Sequence, residues 1–336
     1  MINKNTLREK IINTEKTKIY NTRNPGGIKG IDKIIIITLK GSIRNNHMRQ
    51  QLSKIPNLIE NEDYEFINPI NFAIDDIDVD ELFTHGIFSK DRLDEYWIDI
   101  KTNVKHFFFK NSKGDLNKGT ISLSLITYYI YLKSYLENKI FLILEDNIEF
   151  LTNFVSDYNM FYQSLPQNNW ITLDLHTTNN HGYKNEYNHY YEAIRNKIPK
   201  EFDIPNLNIE TEWRPRITKR VLLGTSESGG AKAYIIKPVS FLFINSVPII
   251  YSADNLKGSI STLENGGITF VSKVKLINYT DKYSNDRRNI DAGIITNNYI
   301  KLDKDYIYNI IETVKKFDYY QNVEFMKIMS SLGICN

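Results

Sequence analysis

An apolar run, Phe141-Leu142-Ile143-Leu144, passes without a break into Glu145-Asp146-Asn147. Carboxylates at the end of a buried strand are costly to desolvate unless a cation or hydrogen bonds compensate them. Hard divalent ions such as Mn2+ or Mg2+ take oxygen ligands, commonly one or two carboxylates together with phosphate oxygens. In open α/β sheets ligands bind outside the carboxyl ends of the strands. Glu145, Asp146 and Asn147 are therefore candidate ligands of a metal that carries a nucleotide diphosphate. In an extended chain Glu145 and Asn147 face one side and Asp146 the other, so either that pair or Asp146 alone would meet the ion. The plainer alternative is a strand that ends in solvated acids, a common arrangement.

Other chemistries fit less well. Paired glycosidase carboxylates flank a sugar at roughly 5–9 Å, whereas adjacent strand residues point apart. Gly224 to Gly230 has the glycine spacing of a phosphate loop, but Gly230 takes the lysine place and Lys232 comes late, with no hydroxyl after it. No dinucleotide glycine fingerprint follows Ile34–Leu39. The histidines at 47, 85, 106, 176, 181 and 189 lack HExxH spacing. Arg214, Arg216, Lys219 and Arg220 could bind an anionic group, because Arg forks match phosphate, but a solvated loop explains them better. Tyr183, Tyr187, Tyr190 and Tyr191 could stack on a sugar or simply pack.

The elements that must position these residues follow from the apolar pattern. Ile34 to Leu39 is short, continuous and rich in β-branched residues, as in a strand buried on both faces. Arg44 to Ile55 reads as a helix ended by Pro56, and Tyr64 to Ile70 as a second strand, giving a strand–helix–strand unit of an α/β sheet. Gly119 to Asn138 is a helix apolar nearly all round, hence buried. Strands are expected at Phe141–Leu144, Trp170–Leu175, Val221–Leu223 and Ala233–Ile236, and a short helix at Phe241–Ser246. Residues 303–332 alternate charge and apolar residues at helical spacing. The division expected is an N-terminal extension over 1–30, a catalytic domain over 31–300 and a helical extension over 301–336.

Composition removes whole classes. With 336 residues, 41% hydrophobic and 24% charged, the chain is neither disordered nor collagen-like. A net charge of +2 gives no reason to expect a nucleic-acid partner. The single cysteine, Cys335, excludes an intrachain disulfide and a cysteine zinc site. No apolar run approaches the ~18 residues of a membrane span, and the N-terminus lacks a signal-peptide core. A soluble, cytoplasmic protein is expected. Asn outnumbers Ala about six to one, a bias that an AT-rich genome, such as that of some large DNA viruses, would produce.

Four segments in order resemble glycosyltransferase family 25, which includes lipopolysaccharide glycosyltransferases and collagen hydroxylysine galactosyltransferases. Ile36-Ile37-Thr38-Leu39, followed by Arg44, Met48 and Leu52, resembles the family's first strand and arginine-rich helix. Gly119 to Thr127 matches the position of its glycine-opened helix, with Thr120 in place of Glu and Ile126-Thr127 in place of Ser-His. Leu144-Glu145-Asp146-Asn147 resembles its Leu-Glu-Asp-Asp strand end, with Asn147 in place of the last Asp. Gly230-Ala231-Lys232-Ala233-Tyr234 resembles its Gly-Thr-x-Ala-Tyr segment, and Pro248 through Asp254 its Pro-x-Asp segment.

The resemblance implies a GT-A type fold, a mainly parallel mixed sheet flanked by helices with a helical C-terminal extension. It implies an inverting transfer from a nucleotide sugar, most often a UDP-sugar, to a protein or glycan hydroxyl. Mn2+ or Mg2+ would sit at Glu145, Asp146 and Asn147, although the uncharged Asn147 weakens that set. Lys232 would share the diphosphate charge, Thr38, Leu39 and Arg44 would hold the nucleoside, and Asp254 would be the general base. The alternatives are an inactive relative that binds nucleotide or glycan, and a metal-independent transferase. The amphipathic tail could pair with a second copy.

Overall fold

The computed structural model describes residues 4–72, 74–77, 118–166, 168–175, 221–223, 232–244, 257, 260, 268–272, 274–280, 299–317, 327 and 330. The α-helices bounded among the described residues are α1 (Lys4–Thr17), α2 (Ile43–Leu52), α3 (Lys118–Glu137), α4 (Phe154–Gln163), α5 (Ser240–Ile244) and α6 (Lys304–Phe317). The strands are β1 (Lys33–Ile37), β2 (Tyr64–Ile67), β3 (Phe141–Glu145), β4 (Ile148–Phe150), β5 (Thr172–Asp174), β6 (Val221–Leu223), β7 (Ala233–Ile236), β8 (Thr269–Ser272) and β9 (Ile277–Tyr279).

Seven strands form one sheet in the order β2-β1-β3-β7-β5-β8-β6. β2, β1 and β3 are parallel, and β5 and β8 are parallel. β7 runs antiparallel between β3 and β5, and β6 runs antiparallel at the edge beside β8. β4 and β9 make a separate antiparallel ribbon. The result is a mixed α/β fold with a central sheet flanked by helices, consistent with a GT-A-like arrangement.

Strand alternation divides the core into two layers. Ile35, Ile37, Phe141, Ile143, Tyr234 and Ile236 face α3, α5 and α6. Ile34, Ile36, Leu142, Leu144, Ala233 and Ile235 face Met48 and Leu52 of α2, and Phe154, Tyr158 and Phe161 of α4. The four isoleucines of β1 are thus buried on both sides, as the sequence requires. α3 is enclosed: α5 and α6 pack against it. The apolar stripe of α6 (Ile307, Ile310, Ile311, Val314) is buried within this chain. α1 joins the same core through Ile11. Among the described residues no helix is long and apolar enough to cross a membrane.

The first β-to-helix connection is built by local chemistry. Gly41 takes a φ of 78°, a left-handed conformation that side chains disfavour, and Ser42 N donates to Leu39 O at 3.1 Å to close the turn. Ser42 then caps α2, its hydroxyl accepting from Asn45 N at 3.3 Å. This short turn brings Arg44, on the first turn of α2, back to the end of β1.

Candidate functional site

The chain leaves β1 through α2 to β2 on one side, and β3 later pairs on the other side of β1. Strand order therefore reverses between β1 and β3, and their carboxyl ends flank a crevice of the kind that binds ligands in open α/β sheets. Ile37 is in register with Glu145 across this crevice. Thr38, next along, is buried, with its hydroxyl 3.2 Å from that of Ser42 and its N–H donating to Ile67 O. Leu39 is partly buried beside it.

β3 stops at Glu145, and Asp146 and Asn147 form a turn into β4. The alternation expected for an extended chain does not apply, because the chain reverses character at once. Arg44 Nη1 donates to Asp146 Oδ1 at 2.9 Å, with both side chains largely buried (11% and 15% exposed). Because β7 is antiparallel, its first residues arrive at the same edge. Glu145 N donates to Lys232 O at 2.8 Å, and Lys232 Nζ meets Glu145 Oε2 at 2.7 Å. Asn147 is 9% exposed, and its side-chain Oδ1 is buried and meets no donor among the described residues, while its backbone oxygen accepts from Thr280 N at 2.7 Å. Thr38, Leu39, Arg44, Lys232, Glu145, Asp146 and Asn147 thus gather at one edge of the sheet. Asp254 lies outside the described residues, as do Arg214, Arg216, Lys219, Arg220 and the tyrosines of 183–191.

Several contributors escape a reading of the sequence. His47 Nε2 lies 2.8 Å from Ile148 O, which can only accept, so Nε2 carries the proton. Gln51 Oε1 accepts from Phe150 N at 3.1 Å. Together with Arg44, these residues tie α2 to the segment that follows Glu145. Asp174, at the end of β5, is buried with Lys257, their charged atoms 2.8 Å apart. Lys257 Nζ also lies 5.6 Å from the centre of the Tyr234 ring. An acid inside the apolar strand Leu173-Asp174-Leu175 was the available signal for this pair.

A family model described as glycosyltransferase family 25 (LPS biosynthesis protein) matches residues 31–255. The chain belongs to glycosyltransferase family 25. The matched span of this family 25 protein runs from the turn before β1 to beyond α5, and so includes the whole crevice between β1 and β3. No curated protein matches the chain.

The family resemblance implies a divalent cation at Glu145, Asp146 and Asn147. Each carboxylate already carries a basic partner, and Asn147 offers a neutral oxygen. Among the described residues no group of three or more His, Cys, Asp or Glu side chains is placed to hold a metal. A hard divalent ion favours anionic oxygens, and here both are already neutralised. Among the described residues this donor set is a poor fit for a divalent metal.

Proposed function

We propose that this protein is an inverting glycosyltransferase of GT-A type that moves a sugar from a UDP-sugar to a hydroxyl of a protein or glycan. The observation that carries this reading is the convergence of Thr38, Arg44, Glu145 and Lys232 on the crevice where strand order reverses, within the span matched by the family model.

In this reading the nucleoside rests on the end of β1, at Thr38 and Leu39. The diphosphate lies toward Arg44 and Lys232, whose charge-assisted hydrogen bonds grow stronger as the leaving group gains negative charge. Asp254 takes the proton of the acceptor hydroxyl, and that oxygen attacks the anomeric carbon. The bond from that carbon to the phosphate oxygen breaks, UDP leaves, and the configuration inverts. A positioned base of this kind contributes roughly 10²–10⁴-fold in rate. Asn147 and the already paired acids also favour a second reading, a family member that binds the nucleotide without turning it over.

The test is UDP release from a panel of UDP-sugars, with and without a candidate acceptor hydroxyl. Slow hydrolysis of one donor identifies the sugar and supports the transferase. UDP binding without release from any donor supports the second reading. Neither binding nor release would sink both.

A further inference from the structure

We propose that the donor diphosphate is held here without a divalent cation, and that Glu145 and Asp146 act as positioning residues for Lys232 and Arg44. The inference rests on the nucleotide-sugar reading above. Arg44 and Asp146 pair at 2.9 Å and Lys232 and Glu145 at 2.7 Å, so the formal charges of these four side chains sum to zero. A divalent ion added here meets carboxylates that each already carry a basic partner. To be ligated it would have to share both carboxylates with their bases, and among the described residues the further oxygen beside them is the neutral one of Asn147.

The same arrangement suits a diphosphate. An ammonium has three donors and a guanidinium five, so each base can keep its carboxylate and also bind a phosphate oxygen. Both bases are fixed in advance. Lys232 is tied to Glu145 through its backbone carbonyl as well as its side chain. Arg44 sits on α2, which Gln51 and His47 fasten to the backbone of β4. Preorganised cations lose little freedom when the anion arrives. The carboxylates that would be metal ligands in the Glu-Asp-Asp pattern here anchor the groups that replace the metal.

On this reading the effect of each substitution on UDP binding does not depend on a metal. UDP binding would be measured by calorimetry on the full chain, with Mn2+ and with EDTA, alongside thermal unfolding of every variant. The wild-type dissociation constant should agree within about threefold between the two conditions. Arg44→Ala and Lys232→Ala should each weaken binding about tenfold or more, with or without Mn2+. Glu145→Gln and Asp146→Asn should each weaken UDP binding by the same factor in EDTA as in Mn2+, about threefold to tenfold, because each loosens the base it positions and takes no ligand from a metal. Binding that needs Mn2+ and disappears in Glu145→Gln and Asp146→Asn would overturn the inference and leave the nucleotide-sugar reading standing. Binding in neither condition would overturn that reading and this inference with it.

Discussion

Arg44, His47 and Gln51 are spaced so that they share one face of α2, and each reaches the chain that follows Glu145. Of the three, His47 gives the clearest test. Its loss leaves a buried backbone carbonyl without its donor, which costs about 1–3 kcal/mol. His47→Ala should therefore lower the unfolding free energy from a urea titration by that amount and, by loosening the turn at Asp146 and Asn147, weaken UDP binding. Full stability with unchanged UDP affinity would refute the role. Ser42→Ala should cost about 1 kcal/mol through loss of the α2 cap, read in the same titration. Glu145 and Asp146 were legible in the sequence because acids at the end of an apolar strand stand out. His47 and Gln51 were not, because their partners are backbone atoms, which leave no mark on the spacing of side chains. Asp174 and Lys257 escaped for a different reason: their pairing joins distant segments.

α1 is fastened to the body of the protein by an unusual buried pair. Lys237, at the end of β7, is fully enclosed. It donates to Asn168 O, meets Glu15 Oε2 of α1 at 3.3 Å, and lies 4.5 Å from the Trp170 ring centre. Burial pulls its pKa down to about 8, against the pull of Glu15 in the other direction. Between that value and its ordinary 10.5 the unfolded chain binds more protons than the folded one, so this group's contribution to stability rises with pH across the window. The rise approaches about 1 kcal/mol per pH unit. Above pH 10 the raised pKa of Tyr20 acts oppositely, since the unfolded chain then loses its phenol proton first. Urea midpoints between about pH 8 and pH 10 should show the rise, and Lys237→Met should abolish it. Glu15→Leu should destabilise by about 3–5 kcal/mol by leaving the buried Lys237 charge without its carboxylate, Lys237→Met should cost less because Glu15 keeps Lys18 at 3.9 Å and the Tyr20 hydroxyl, and the double variant should cost less than the sum. Additive losses in the double-mutant cycle would count against the pairing. At this scale the sequence revealed the elements that carry an apolar run, from β1, β3 and α3 down to the short β6 and β7. β4 and β9 have a polar residue at their centre and β8 has Thr and Ser at its ends, so no such run marks them.

Taken whole, the molecule joins distant parts of the chain. β3 pairs with β1 before it and β7 after it, across long intervals in both directions. The parallel β1–α2–β2 unit was legible because a helix between two strands dictates it. The reversal of β7 was not, since a short apolar strand reads the same in either direction, and that reversal is what delivers Lys232 to the acidic edge. α6 is buried in the same core layer as α1, α3 and α5, so Ile311→Ala should cost about 2–5 kcal/mol. It should also shift one cooperative unfolding transition rather than create a second; a separate early transition would show that α6 is an independent appendage. The Glu15–Lys237 contact has one more consequence, in time rather than energy. On a ribosome adding roughly 5–20 residues per second, about 220 residues separate the two partners, so the acid waits roughly 10–40 s for its lysine to be made. α1 is made well before the lysine that anchors it, and until then its buried face must be tolerated by the solvent or by whatever shields a nascent chain.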